Sequence, residues 1–534
     1  MESSGPAAIR EANAEQPRVE WWQLIAVLLI AAVWLYRTPY SASDLPIPPD
    51  TVEYALAPLQ LLETGRYQIV IEGRGLPPRY PPWFPVAVIF PAYTLFGHEP
   101  GNAILPITAF AIAGVGLAYA IARRISSPAG GVLAALFLLV TPSYSVWATQ
   151  VMTDVPCTAL MLGGCLLFLR LRETPTSWLW YLLAGTIVAI TTLFRPVAAA
   201  MLLPFLFAAI TSRQGFLRRA FALLAPMVAA AAMNFAYNAA TFGSVLRNGY
   251  KLWVPVPIDY PWLMFSASNL PMNVSVITHT ALPVFLALSL IAYAFARRNG
   301  APVLNSRRRD IFDALIFFAL ATVPILVFHL FYFFPGDRFH LPMIAGSAVI
   351  AGALWGLIVG RRYTSVVALL LAGVLVLAIA GRIVVPEQLP IRRIVADRVR
   401  GQTPDNSIII SAIDPVYMER MVALGSSRRI VPLSRNVEYA SKLLAWNRID
   451  HPAPPPINWR DGRCPGLIRG GAEEAVRFVA AEQLDAIGAE IARRRPVFLE
   501  TSSVGPAEAK VLASLQDRFN LVMRAPYLFE LQPR

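Results

Sequence analysis

The sequence predicts a mostly α-helical, polytopic membrane bundle followed by a soluble α/β domain. Three observations carry this fold class. The 534 residues are 56% hydrophobic and only 15% charged, a balance that few soluble chains show. Apolar runs of membrane-spanning length recur from residue 21 to residue 382. Beyond residue 382 the composition turns charged and proline-rich, with short alternating stretches in place of long apolar ones.

The apolar spans run over 21–36, 103–122, 129–148, 155–171, 178–194, 196–212, 219–239, 276–296, 311–334, 339–360 and 363–382. Each is long enough to cross, or nearly so with snorkelling flanks. The net charge of +13 is not a nucleic-acid signature, because the arginines cluster between spans. With the N-terminus inside, Arg123 and Arg124, Arg170 and Arg172, Arg213, Arg218 and Arg219, Arg297 and Arg298, Arg307 to Arg309, and Arg361 and Arg362 all fall on the inner side. That is the positive-inside pattern for about eleven crossings. The segment 83–97 (WFPVAVIFPAYTLFG) is short and holds two prolines. It reads as a re-entrant or interfacial helix, since a further crossing would invert every later arginine loop.

This divides the chain into a cytoplasmic tail (1–20), a transmembrane domain (21–382) with a first outer loop at 37–102, and an outer soluble domain (383–534). Ser41-Ala42-Ser43 is weakly cleavage-like. Glu11, Glu15 and Glu20, with the interfacial pair Trp21-Trp22, argue that the first span is retained. In the soluble domain NSIIISAI, RRIVPL, RPVFLE and YLFEL read as strands. AEEAVRFVAAEQLDAIGAEIARR and AEAKVLASLQ read as helices, and HPAPPPINW (451–459) as a loop. Cys157, Cys165 and Cys464 suggest neither a disulfide framework nor a metal cluster.

Polar residues gather at the outer ends of the spans. The first outer loop contributes Asp50, Glu53, Tyr54, Arg79 and Tyr80. Asp154 lies between spans three and four, and Arg195 between five and six. Asn234 and Asn238 end span seven. Lys251, Trp253, Asp259 and Tyr260 follow in a loop. His329, Asp337, Arg338 and His340 surround the junction of spans nine and ten. Ionisable groups at membrane depth are costly, so a convergent set points to function. Each also has a plainer reading. Asp50 after Pro48-Pro49, and Asp154 before Val155-Pro156, suit helix starts; His329 suits a satisfied core position. There is no zinc-ligand spacing, P-loop or dinucleotide fingerprint.

Four stretches resemble, in order, a known family. DTVEYALAPLQLLETGRY, continuing into PPRYPPWFPVAVIFPAYTLFG, is similar to the first outer loop of GT-C type membrane glycosyltransferases that use polyprenyl- or dolichyl-phosphate sugars. TPSYSVWATQVMTDVP resembles their second acidic motif, ITTLFRPVAAAMLLP a short outer hairpin with a basic residue, and GDRFHLP a late arginine–aromatic motif. The resemblance spans about residues 20–345 and rests on order and spacing. It implies an inverting transfer from a lipid-phosphate sugar to an extracytoplasmic acceptor at a bacterial plasma membrane. Asp50 would be the general base, and Arg338, Arg79 and Arg195 would hold the donor phosphate. Asp154, Glu53 and Tyr54 would serve the acceptor or support the site, with Tyr80 and His340 lining the substrate pocket. No cofactor is called for, and a divalent metal stays open. Glu53 stands where aminoarabinose transferases carry a basic residue, and Arg79-Tyr80-Pro81-Pro82 lacks their lysine. A multi-pass transporter and a non-catalytic assembly subunit are the competing readings.

Overall fold

The computed structural model describes residues 21–36, 49–71, 73–173, 177–211, 215–250, 264–298, 302–359, 391–433, 485, 487–502, 504 and 506–534. The expected tail 1–20, the span 363–382, the loop 451–459, and Lys251, Trp253, Asp259 and Tyr260 lie outside the described residues.

Helices dominate the first part of the chain. In order they are α1 (Trp21–Tyr36), α2 (Pro49–Thr64), the hairpin β1 (Ile69–Ile71) and β2 (Arg74–Leu76), α3 (Pro85–Phe96), α4 (Ile104–Ile125), α5 (Pro128–Leu139), α6 (Pro142–Trp147), α7 (Asp154–Glu173), α8 (Trp178–Phe194), a 3₁₀ turn (Pro196–Met201), α9 (Leu202–Thr211), α10 (Phe216–Phe242), α11 (Leu270–Thr278), α12 (Leu282–Arg298), α13 (Pro302–Leu330), a 3₁₀ turn (Asp337–His340) and α14 (Leu341–Val359). Among the described residues, five helices are long and apolar enough to cross a membrane, or six if the bent pair Ala267–Thr278 and Leu282–Arg298 is one span.

Every expected span within the described residues falls on an apolar helix, but two are broken. The expected 129–148 stops at Leu139 and restarts at Pro142. Pro142 has no N–H to give and disfavours helical geometry at Thr141, whose backbone is extended. The 276–296 region bends by 62° between its two helices. The proline-bearing 83–97 segment forms the short helix α3, which begins as a π-helix at Pro85–Ile89.

Small residues let the helices close on one another. A Cβ at Gly356 on α14 would lie 2.3 Å from Gly130 Cα on α5, and one at Gly352 would lie 2.4 Å from Ala134 N. Packing of backbone on backbone is how membrane helices associate when lipid removes the hydrophobic drive between them. Polar ties reinforce the bundle: Trp34 Nε1 donates to Ser145 Oγ at 3.2 Å and Tyr119 Oη to Gln23 Oε1 at 3.0 Å. Helices α10 and α12 keep large apolar side chains exposed, among them Phe221, Val228, Leu286 and Leu290, as a lipid-facing surface requires.

After residue 390 come α15 (Ile391–Gln402), β3 (Ile408–Ser411), α16 (Pro415–Met418), a π-turn (Glu419–Ala423), β4 (Arg429–Pro432), β5 (Val497–Glu500), α17 (Pro506–Arg518), β6 (Phe519–Ala525) and β7 (Leu528–Pro533). The strands form one sheet in the order β4-β3-β5-β7-β6, parallel across β4, β3 and β5 and antiparallel beyond. Strand β6 was not expected. Its burial alternates poorly and its ends alone are buried, as suits an edge strand.

Candidate functional site

Pro49 and Asp50 open α2, and the carboxylate in the first turn meets the favourable end of the helix dipole. One turn later Glu53 and Tyr54 project from the same helix and are buried. Hairpin β1–β2 then returns the chain, so that Arg79 lies against this turn. Its backbone N–H donates to Glu53 Oε2 at 2.9 Å. Its guanidinium spans both acids, with NH2 3.2 Å from Glu53 Oε1 and NH1 3.3 Å from Asp50 Oδ1. From the far end of the sequence Arg338, in the turn before α14, reaches Asp50 Oδ2 at 3.1 Å. Asp50 is thus held between two guanidiniums that come from separate elements.

Aromatic rings wall this cluster. Tyr54 and Tyr80 stack at 4.0 Å, and Tyr250 meets Tyr80 edge-on at 5.5 Å. The loop bearing Tyr250 lies close because Gly249 has no side chain: a Cβ there would fall 2.2 Å from the Arg79 carbonyl oxygen. Arg338 lies over the rings of Trp147 and Phe339, at 5.3 and 5.1 Å. Trp147 Nε1 in turn donates to Asp337 Oδ1 at 3.0 Å.

Burial acts to raise the Asp50 carboxyl pKa. The charges of Arg79 and Arg338, with a hydrogen bond from Tyr80, outweigh it and hold the group below its usual value. Asp50 therefore stays ionised. Burial pushes the Tyr80 phenol well up, and the Asp50 charge adds to this, so Tyr80 stays a hydrogen-bond donor.

A second pair sits beside the first. Asp154 opens α7 and is fully buried, and Arg195, between α8 and the following 3₁₀ turn, donates to its Oδ1. The Arg195 guanidinium lies 5.0 Å from the Phe339 ring that Arg338 also contacts, so the cations of the two pairs share one aromatic neighbour. A cavity of about 20 Å³, room for one water-sized body, touches Asp154, Cys157, Arg195 and Phe339. Asp154 Oδ2 has no hydrogen-bond partner among the described residues.

Of the residues singled out in the sequence, Asp50, Glu53, Tyr54, Arg79, Tyr80 and Arg338 meet in one cluster. Asp154 and Arg195 form the adjoining pair. His340 is buried 6.1 Å from His329, which stacks on the Phe339 ring at 4.5 Å and bonds the Ile325 carbonyl. Asn234 accepts from Trp83 Nε1 at 3.0 Å, and Asn238 donates to the Val245 carbonyl; both tie structure together. Phe339 is the aromatic of the GDRFHLP motif, whereas Trp147, Tyr250 and Met152, whose Sδ lies 3.6 Å from Arg338, were not singled out. Among the described residues no group of three or more His, Cys, Asp or Glu side chains could hold a metal ion. The carboxylates at Asp50 and Glu53 are instead engaged by arginines.

Apolar helices enclosing a cluster of ion pairs at their ends define a multi-pass membrane protein with a polar site at one end of the bundle. Residues 81–238 match the family model described as dolichyl-phosphate-mannose-protein mannosyltransferase, which bears out the likeness to GT-C type membrane glycosyltransferases. Among solved structures, ArnT from Cupriavidus metallidurans bound to undecaprenyl phosphate is similar at 15% identity. That likeness covers 96% of this chain and 97% of that one, with a TM-score of 0.47. The archaeal oligosaccharyltransferase AglB from Archaeoglobus fulgidus, in complex with an inhibitory peptide and a dolichol-phosphate, is similar at 12% identity. It covers 96% and 74% respectively, with a TM-score of 0.48. No curated protein matches the sequence.

Proposed function

We propose that the protein transfers one sugar, with inversion, from a polyprenyl-phosphate donor to an extracytoplasmic acceptor. The acceptor hydroxyl or amine attacks the anomeric carbon, and Asp50 takes its proton. The bond from the anomeric carbon to the phosphate oxygen breaks, and the electron pair leaves with the lipid phosphate. Arg338 and Arg79 stabilise the growing charge there, since guanidiniums grip phosphate through paired N–H groups and stay charged near lipid. Arg195 and Asp154 flank the same space. Asp154, with Glu53 and Tyr54, supports the acceptor side, and Tyr80 and His340 line the pocket.

The observation that carries this reading is the convergence of Arg79 and Arg338 on Asp50. A base and two phosphate-binding cations lie within one hydrogen-bonded group at a bundle end, where a lipid headgroup lies. The reading extends to about eleven crossings with the N-terminus inside, so that the site and the sheet of the C-terminal part face outward, across a bacterial plasma membrane. A transporter would place its polar groups nearer the midplane.

The test uses purified protein in nanodiscs with a panel of labelled polyprenyl-phosphate sugars. Release of free polyprenyl phosphate by the wild type and its loss in Asp50→Asn is the expected result. Equal release by both removes Asp50 as the base. No release from any donor, with membrane extract supplying acceptors, overturns the transferase reading.

A further inference from the structure

We infer that the π-turn Glu419–Ala423 is a positioning clamp for this site. It fixes, through two adjacent side chains, both chain segments that deliver Asp50 and Arg79. The inference rests on the proposed roles of those two residues.

Arg420 makes a two-fold ion pair with Glu63, NH2 lying 2.6 Å from Oε1 and NH1 bonding Oε2. Glu63 is in the last turn of α2, the helix that begins with Asp50. A carboxylate at that end opposes the helix dipole, so a cation beside it is favoured. Arg420 supplies one, and His98 Nδ1 lies 3.6 Å from Glu63 Oε1. The neighbouring residue, Glu419, is buried and accepts from the Gly73 backbone N–H at 2.9 Å. Gly73 turns the β1–β2 hairpin with φ +74°, and that hairpin leads directly to Arg79.

Apolar contact supports the same docking. Tyr417, Met418 and Val422 belong to one core with Leu56, Leu59 and Ile69. Glu63 and Arg420 are 357 residues apart in sequence, so no local preference accounts for their pairing. Helix α2 continues unbroken through Pro58, and the thirteen residues from Asp50 to Glu63 give a rise of about 20 Å. Holding one end of α2 therefore sets where the other end points. Arg338 stands on a different element and is not held by this turn.

The test uses the full-length protein in nanodiscs, following release of polyprenyl phosphate. Arg420→Glu is expected to lower kcat by roughly tenfold or more, since misplacement by about an ångström can cost up to about a hundredfold. The reciprocal exchange, Glu63→Arg with Arg420→Glu, should restore most of kcat. Wild-type kcat in Arg420→Glu, or no recovery in the exchanged protein, overturns the clamp. Should Arg420→Glu not accumulate, Glu419→Gln, which weakens the hold on Gly73 and leaves the Arg420–Glu63 pair in place, is read by the same loss of kcat. Asp50→Asn run alongside keeps the two ideas apart. Activity in that variant sinks the proposed base, while the exchange experiment alone decides the clamp.

Discussion

Replacing Asp50 by asparagine should tighten the binding of polyprenyl phosphate even as it abolishes transfer. The two oxygens of Asp50 occupy an N–H group of Arg79 and one of Arg338, at 3.3 and 3.1 Å. A lipid phosphate entering the cluster must take those donors from the carboxylate, and it brings a second negative charge beside the first. At an effective dielectric constant near 20, each contact between opposite charges at such range is worth roughly 4 kcal/mol before desolvation. Net values for hydrogen bonds to charged groups are smaller, about 1.5–3 kcal/mol. Removing the competing anion should therefore improve affinity by about tenfold or more, at roughly 1.4 kcal/mol per factor of ten. Arg338→Ala should move affinity the opposite way. Titration of a fluorescent polyprenyl phosphate into nanodisc-held protein measures both. Unchanged or weaker binding by Asp50→Asn would refute the idea that base and phosphate share the same two cations.

The acid limb of the pH–rate profile should lie below the ordinary carboxylate value, because Asp50's pKa is lowered and a base must be unprotonated. Arg338→Ala removes a charge that opposes burial, so its limb should shift to higher pH; a shift to lower pH contradicts the assignment. Arg195→Ala leaves the fully buried Asp154 carboxylate without its cation. A loss of about 3–5 kcal/mol is expected, seen as a lower thermal midpoint that added donor does not rescue. Gly356→Val forces a side chain into the Gly130 backbone. Overpacking of this kind costs about 1–3 kcal/mol or more, read from the unfolding midpoint in detergent, while a neighbouring exposed substitution on α12, Leu290→Ala, should leave that midpoint in place.

The acids of the site were legible because their local setting is unusual. Asp50 follows two prolines and Asp154 precedes one, so both had to sit at helix starts near a lipid boundary. Arg338 stood out for the same reason, in a Gly-Asp-Arg turn between apolar spans. Their partners were not legible. Nothing in sequence says that Glu53 would spend its carboxylate on Arg79, or that Phe339 would touch the cations of two ion pairs, because those contacts depend on how distant helices pack. Tyr250 was hidden for a further reason: it reaches the site only because Gly249 lets its loop press on the Arg79 backbone. The strands at 408–411, 429–432, 497–500 and 528–533 were readable from apolar runs. The edge strand 519–525 was not, since its mixed polar pattern carries no two-residue alternation.

The pairing of Arg420 with Glu63, and of Glu419 with Gly73, also bears on modularity. The sheet-forming part of the chain follows the helical bundle in sequence, which invites its treatment as an exchangeable cassette. Those contacts make it a keyed attachment. A graft that brought a foreign C-terminal piece would have to carry its own match for the end of α2 and the tip of the hairpin, or leave both ends of the site's scaffold unheld.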